Sequence, residues 1–144
     1  MLILGASYGS LLATKLLFGG HKITMVCLPA EVEAFNTDGA RVRLAQLRPL
    51  LERVAGQPAT VLMGDLNAEP DSAEIALVRA AGLSDAFTAG DGGRADELTW
   101  PSDRPERRID YLWLSPDLAA SGFAATDGTA SDHRGIAVTV RLAG

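Results

Sequence analysis

The sequence is short of cysteine and of positive charge, and each shortage excludes a class of protein. Cys27 is the only cysteine, which rules out an internal disulfide framework. It lies in an apolar run, so we interpret it as a buried inert thiol rather than a nucleophile. The formal net charge of −5 provides no global basic field for nucleic acid. A nucleic-acid substrate would therefore need a local basic patch or a bound cation.

The sequence also lacks a long uninterrupted apolar run. Lys15 interrupts the apolar start of the chain, and no basic region precedes that start. The stretch is too short for a membrane span and a poor match to a signal peptide, so we expect a soluble cytoplasmic protein without a membrane partner. With 144 residues, 47% of them hydrophobic and 22% charged, the chain predicts one compact globular domain (1–144).

The polar stretch from Thr60 to Asp71 is the most informative part of the chain. Four β-branched or apolar residues predict a short buried strand, which ends in a turn that carries Asp65 and Asn67. These two residues are two apart, so an extended backbone presents their side chains on one face. A carboxylate and an amide together can hold a hard metal ion or a phosphate oxygen. The alternative is an Asx-rich turn that only links a strand to a helix.

The front of the chain predicts a βαβ unit. Met1–Leu4 and Ile23–Leu28 have the pattern of buried strands, and Leu11–Phe18 has that of a helix ended by Gly19-Gly20. Through about Leu44 this part resembles the start of ketopantoate reductase-like Rossmann proteins. The resemblance implies cofactor contacts at the glycine turn, at Gly5 and Gly9. Ser7 and Ser10 stand where two fingerprint glycines belong, which weakens a dinucleotide site and favours a structural role for the unit.

The rest of the chain predicts mixed helices and strands. Apolar residues recur at helical spacing from Leu44 to Val54, and Asp71 with Glu74 predicts a capping box for a helix through Ala81. Further predicted segments are an irregular loop at Leu83–Asp103, a strand at Ile109–Leu114, a turn or short helix at Pro116–Gly122, a brief strand at Phe123–Thr126 and a final strand at Gly135–Leu142. The fold class predicted is α/β (α+β).

Polar side chains interrupt or end three strongly apolar segments. They are Asp65 with Asn67, Asp110, and Asp132 with His133. Each has a structural alternative, such as a buried acid satisfied by a neighbouring arginine or a solvated turn. Three together favour a convergent site at one edge of a sheet.

These segments also carry a family resemblance. Gly64-Asp65-Leu66-Asn67-Ala68, Arg108-Ile109-Asp110-Tyr111-Leu112 and Ser131-Asp132-His133, in that order, resemble the endonuclease/exonuclease/phosphatase superfamily, as does Thr99-Trp100-Pro101. The resemblance covers roughly residues 41–144 and implies half of the family's sandwich of sheets with flanking helices. The front segment, 1–40, would then be a Rossmann-like unit of separate origin.

The resemblance implies the chemistry of each position. Asp65 would orient or deprotonate the attacking water, Asn67 would hold the phosphate or the water, and His133, oriented by Asp110, would contact the phosphate. Mg²⁺ or Mn²⁺ suits an oxygen-rich donor set. The implied metal ligands are Asp132, Asp65, Asn67 and Glu31, and the implied substrate contacts are Arg107, Arg108 and Trp100.

The sequence thus favours a metal-dependent phosphoesterase, with a phosphoester as substrate and nucleic acid as one candidate. Because the family's first half has no clear counterpart here, we expect impaired activity. The alternatives are a non-catalytic chimeric or structural domain and a weak dinucleotide-binding module. The oligomeric state stays open.

Overall fold

The computed structural model describes residues 2–4, 12–18, 21–28, 37–90, 98–127 and 130–144, with side chains from residue 38 onward. The strands are β1 (Leu2–Leu4), β2 (Leu12–Phe18), β3 (His21–Leu28), β4 (Thr60–Asp65), β5 (Ser84–Asp85), β6 (Asp110–Leu114), β7 (Leu118–Ala125) and β8 (Ile136–Leu142). The helices are α1 (Thr37–Val54), α2 (Ala73–Ala80) and α3 (Ala86–Ala89). None of the described helices is both long enough and apolar enough to cross a membrane.

The strands form two sheets. The five-stranded sheet has the order β2-β3-β4-β6-β5, and the three-stranded sheet has the order β1-β8-β7. Strands β3 and β4 are parallel, and every other described pair is antiparallel. The predicted mixed α/β class is therefore confirmed.

The central strands β4 and β6 are buried on both faces. Leu62 and its register partner Trp113 belong to a core cluster formed with α1 and α2. Val61 and Met63 belong to a second cluster, which includes residues of β7 and β8. Because side chains alternate along a strand, the five-stranded sheet is sandwiched between the helices on one face and the second sheet on the other. The continuous apolar run before Asp65 is thus explained by burial on two faces.

The predicted βαβ unit at the front of the chain is wrong. The predicted helix at Leu11–Phe18 is instead strand β2, which pairs antiparallel with β3 from Leu12↔Cys27 to Phe18↔His21. A βαβ unit requires parallel strands joined by a crossover, which two adjacent antiparallel strands cannot form. A short apolar run does not separate helix from strand by periodicity, and Gly-Gly signals a hairpin connection as well as a helix end. Gly5 and Gly9 lie outside the described residues.

Other boundaries differ in ways that local contacts explain. Helix α1 begins at Thr37 and contains Pro49. The cap of α2 is Ser72, whose hydroxyl accepts a hydrogen bond from Ile75 N, rather than Asp71. Glu74 is instead buried in an ion pair with Arg43 of α1, with 2.7 Å between Nε and Oε1. This pair joins the two helices that cover the sheet.

The segment predicted as a turn or short helix after Pro116 is mostly strand. Strand β7 runs from Leu118 and buries Leu118, Ala120 and Phe123 in the second core cluster. Its register with β8 shifts between Ser121 and Ala124, and Gly122 lies there at φ 63. The bulge explains why the alternating pattern is hard to detect in the sequence, because it breaks the period of two.

Candidate active site at the edge between the two sheets

The site begins with two carboxylates on neighbouring strands. Asp65 ends β4, Asp110 begins β6, and the two are direct register partners. Alternation places both on the same face as Met63 and Leu112, which is the face toward the second sheet. Asp110 is buried and Asp65 is partly buried. The register of the two strands therefore forces two acids together at a sheet edge.

The turn after β4 presents Asn67. The N–H of Asn67 donates to Asp65 Oδ1 at 2.7 Å, and Asn67 has φ 45, in the left-handed region that asparagine tolerates. This is an Asx turn, so the structural alternative for this stretch is also present. The hydroxyl of Tyr111 lies 2.7 Å from the carbonyl oxygen of Ala68, to which it donates. The turn is thus held at both ends.

His133 completes the cluster from the second sheet's side. Its Nδ1 lies 2.9 Å from Asp110 Oδ2, within hydrogen-bond range. Its Nε2 lies 3.9 Å from Asp65 Oδ2, which is too long for a hydrogen bond. Ligand atoms of Asp65, Asp110 and His133 all lie within 4.8 Å of one another. The structure therefore brings three of the predicted site residues together.

The cluster shifts the pKa values of its members. Burial, followed by the neighbouring Asp110 carboxylate, raises the pKa of Asp65 to about 6. The hydrogen bond with Asp110 raises the pKa of His133, and burial opposes that rise. One carboxyl is therefore close to titration at neutral pH while the imidazole beside it favours its charged form. Perturbed values of this kind are typical of functional sites.

Two further predicted metal ligands are not part of this tight group. The side chain of Asp132 is exposed, and its Oδ1 accepts a hydrogen bond from the Ser131 hydroxyl at 3.2 Å. It is not in the group of ligand atoms formed by Asp65, Asp110 and His133. Glu31 lies outside the described residues.

The arginines differ in what they can reach. Arg108 is 7% exposed, and its Nη2 lies 2.8 Å from Asp85 Oδ2. Its guanidinium carbon also lies 4.5 Å from the ring centroids of Phe87 and Tyr111. A buried guanidinium that pairs with an acid and packs against two rings is part of the core, so this geometry gives no support to the prediction that Arg108 contacts phosphate.

Arg107 and Trp100 are accessible near the site. Both are partly exposed, and the Arg107 guanidinium carbon lies 6.0 Å from the Trp100 ring centroid. Arg107 Nε is also 3.4 Å from Oε1 of Glu69, which follows the turn of Asn67. The predicted substrate contacts thus separate into one buried arginine and one exposed arginine–tryptophan pair.

Three residues around the site gained no individual role from the sequence. They are Asp85, Thr99 and Tyr111. Thr99 and Tyr111 do lie inside the motifs singled out by resemblance. Asp85 has no sequence signal, because its partner Arg108 is distant in the chain and the intervening segment resembles a loop.

The fold and the site together define an α/β sandwich protein with a carboxylate–imidazole site at its strand ends. Residues 12–133 match the Endonuclease/Exonuclease/phosphatase family, and the chain belongs to that family. The match begins at β2, so β2 and β3, which lie in the segment assigned from sequence to a ketopantoate reductase-like unit, are part of the family domain. The family match therefore starts well before residue 41, where the resemblance was predicted to begin, and the ketopantoate reductase-like assignment is not supported.

Solved structures share the fold at low sequence identity. The mannosyl-6-phosphatase Bt3783 of Bacteroides thetaiotaomicron superposes with TM-score 0.69 and 17% identity, over 86% of this chain and 53% of that one. TDP2 of D. rerio, complexed with a single-strand DNA product, gives 0.68 and 23%, over 92% and 61%. The endonuclease domain of the retrotransposon TRAS1 gives 0.64 and 20%, over 92% and 62%. At these identities the likeness establishes the fold.

The chain spans about half to three fifths of the length of these structures. A comparison with curated proteins gave no significant match.

Proposed function

We propose that the protein is a metal-dependent phosphoesterase that hydrolyses phosphodiester or phosphomonoester bonds. The observation that carries the proposal is the Asp110–His133 pair, at 2.9 Å, placed beside Asp65 in a chain of this family. A base, an oriented imidazole and an amide at one strand end are the groups that an attack by water on phosphorus requires.

The donor set fits a hard divalent cation. Asp65 and Asn67 offer carboxylate and amide oxygens from one turn, and Asp132 offers an exposed carboxylate close to His133. Burial, and then the neighbouring Asp110 carboxylate, raises the pKa of Asp65, so its negative charge is unfavourable in the folded chain and a cation would offset that. We expect Mg²⁺ or Mn²⁺ to be held by Asp65, Asn67 and Asp132. When bound, the ion supplies stabilisation of the negative charge on the phosphate oxygens.

Asp65 is proposed as the group that orients the attacking water and accepts its proton. With a pKa of about 6, most of the carboxyl is ionised at neutral pH and still basic enough to take a proton. The Asx-turn bond from Asn67 N fixes Oδ1 at 2.7 Å and leaves Oδ2 to face His133. The water is therefore expected on the Oδ2 side.

His133 is proposed as the donor to the phosphate. Asp110 accepts from Nδ1, so the second ring nitrogen, Nε2, is directed toward the side of Asp65. Because 3.9 Å is too long for a bond to Asp65, the Nε2 hydrogen is available to a phosphate oxygen. The raised pKa of His133 favours the protonated ring that this donation needs.

Substrate beyond the phosphate is proposed to meet Trp100 and Arg107. The aromatic ring can stack on a base or another planar group, and the guanidinium can pair with a second phosphate. Nucleic acid is one candidate substrate, and the single-strand DNA product bound to D. rerio TDP2 supports testing it. With a net charge of −5 on the chain, such binding would depend on this local contact and on the cation.

The test measures hydrolysis of bis-p-nitrophenyl phosphate and p-nitrophenyl phosphate with Mg²⁺, with Mn²⁺ and with EDTA. We expect EDTA to abolish activity and His133→Ala to lower kcat by roughly 100-fold or more. Asp132→Ala should weaken metal binding in calorimetry. Asp71→Ala, which removes another exposed acid from a turn, is the matched control and should leave activity unchanged. Activity that is indifferent to EDTA and to His133→Ala would refute the proposal.

Metal binding separates the enzyme from its alternative. A cooperatively folded chain that binds neither Mg²⁺ nor Mn²⁺ would be a non-catalytic domain that keeps the family's fold. Calorimetry on the wild type and on Asp132→Ala decides this without an assumed substrate.

A further inference from the structure

Thr99 lies between the two segments that carry the Asp110–His133 pair. It is fully buried, and its hydroxyl oxygen accepts hydrogen bonds from the N–H groups of Ile109, at 3.2 Å, and Asp110, at 3.3 Å. Its carbonyl oxygen accepts from the N–H of Arg134 at 2.7 Å. One residue therefore contacts the backbone beside each member of the pair.

We propose that Thr99 is a positioning residue, whose hydroxyl and carbonyl together set the alignment of His133 against Asp110. The consequence for catalysis rests on the proposed function, in which the pair presents Nε2 to the phosphate. The positioning role itself concerns only the hydrogen bonds by which Thr99 holds the backbone beside Asp110 and His133.

The backbone of Thr99 is itself fixed. Its N–H donates to the carbonyl oxygen of Arg107 at 2.8 Å, and Trp100 and Arg107 form a bridge that closes the loop between them. Thr99 is thus anchored to the segment that leads into β6. A hydroxyl held in this way can define the position of the strand's first residue, Asp110.

A second link ties the same segment to the turn of His133. The N–H of Ser102 donates to the carbonyl oxygen of Asp132 at 2.8 Å, and its hydroxyl donates to the carbonyl oxygen of Ser131. Arg134 Nε donates to the carbonyl oxygen of Ser102 at 3.0 Å. Ser102 therefore secures the turn alone, whereas Thr99 touches both the turn and β6. This difference makes the Thr99 hydroxyl the specific element to test.

The alignment matters because the hydrogen bond between Asp110 and His133 tolerates little displacement. A hydrogen bond of 2.9 Å weakens steeply with displacement or misalignment, and a shift of about 1 Å at a catalytic group can lower a rate by roughly 100-fold. Without the Asp110 bond, the imidazole also loses the preference for one tautomer that the bond imposes. The hydroxyl of Thr99 is thus expected to act on kcat rather than on substrate affinity.

The experiment compares Thr99→Val, Thr99→Ser and Thr60→Val in the full chain. Thr99→Val keeps the shape and removes the acceptor, whereas Thr99→Ser keeps the acceptor and removes a methyl group. Thr60 is the matched control, because it is equally buried and its hydroxyl donates to the carbonyl oxygen of Gln57. Thr60 begins β4, whereas Asp65 ends it, so the substitution lies far from the site. Should Thr99→Val fail to fold, Thr99→Ala removes the same hydroxyl without branching at Cβ.

Two readouts decide the outcome. We expect Thr99→Val to lower kcat by roughly 10-fold or more, with KM within about 2-fold of the wild type, and Thr99→Ser and Thr60→Val to stay within about 3-fold. We also expect the ring-nitrogen chemical shifts of His133, measured by NMR at a pH high enough for the ring to be neutral, to report a single Nδ1–H tautomer in the wild type, imposed by the bond to Asp110, and a mixture in Thr99→Val.

The proposal is overturned when Thr99→Val keeps the wild-type tautomer and kcat, or when Thr99→Ser loses as much as Thr99→Val. It is also overturned when Thr60→Val has the same effect, since the loss would then follow from lower stability. A wild type without any metal-dependent hydrolysis would refute the proposed function, and the NMR readout would still decide the positioning role.

Discussion

Replacing Asp65 with asparagine should stabilise the metal-free protein at neutral pH while abolishing hydrolysis. Asp65 ionises with difficulty in the folded chain, because it is buried and lies beside the carboxylate of Asp110. The increase in its pKa from 3.8 to about 6 corresponds to about 3 kcal/mol of destabilisation of the folded state above pH 6, at about 1.4 kcal/mol for each pKa unit. Asparagine is isosteric and carries no charge, so it avoids this cost.

The pH dependence gives the prediction its sign. At a pH below about 4, the carboxyl is protonated in both the folded and the unfolded chain, and the substitution removes no charge. Between about 4 and 6 the folded chain holds the proton more tightly, so the stability of the wild type falls as the pH rises. Above about pH 6 the loss in the free energy of unfolding of the wild type reaches its full value. The stability gained by Asp65→Asn should therefore grow across this window and then level off.

The figure of about 3 kcal/mol is an upper value. The carboxylate also attracts His133 and accepts from Asn67 N, and both interactions are weaker with an amide. His133 contributes in the same pH direction, since its pKa is raised by the fold and its stabilising effect is lost as the pH rises through that value. Removing the charge of Asp65 also reduces this stabilising contribution of protonated His133. We therefore expect a gain of about 1 to 3 kcal/mol at pH 7.

Urea denaturation with EDTA at a series of pH values from 4 to 8 measures the effect. Asp71→Asn controls for the loss of one negative charge, because Asp71 is exposed. Saturating Mg²⁺ should stabilise the wild type and not Asp65→Asn, since a ligand that binds only the folded state raises its stability by mass action. A gain that is equal at pH 4 and pH 7, or no gain at pH 7, would refute the reasoning.

Two further predictions concern contacts that hold the site and its covering helices. Tyr111→Phe removes the hydroxyl that donates to the carbonyl oxygen of Ala68, so we expect about 1 kcal/mol lower stability in urea denaturation and a lower kcat from a looser Asn67 turn; unchanged kcat would contradict the second part. Arg43→Met leaves Glu74, 2% exposed, buried without its partner, which should cost about 3–5 kcal/mol in the same assay. The double variant Arg43→Met/Glu74→Leu should recover most of that loss, and a double variant as unstable as the single one would contradict the pairing.

The positions of the site residues could be predicted because their signals are local. Asp65 and Asn67 follow a strand whose burial on both faces leaves a continuous apolar run, and Asp110 interrupts a second such run. Polar side chains at such places are costly, so they stand out in a sequence. The two interpretations of the Asn67 turn are compatible, since the Asx turn is what fixes Asp65 Oδ1.

The front of the chain could not be assigned correctly because its conformation depends on distant partners. The run from Leu12 to Phe18 has no period that distinguishes helix from strand, and its pairing with β3 decides the conformation. Strand β3 in turn pairs parallel with β4. The burial of Arg108 is hidden in the same way, because Asp85 and Phe87 reach it from a segment that resembles a loop in the sequence.

The strand register explains why this fold carries an unfavourable pair of acids. Sliding β6 by one residue against β4 would exchange its two faces and expose Trp113 to the wrong core cluster, so the apolar residues fix the register. That register makes Asp110 the direct partner of Asp65 and sets two carboxylates side by side. The imidazole of His133 offsets part of the repulsion by bonding to Asp110. Burial and the remaining repulsion from Asp110 together raise the pKa of Asp65. The packing of the two core clusters thus holds the carboxylates of Asp65 and Asp110 side by side although their proximity is unfavourable. A bound cation or a proton would reduce that repulsion.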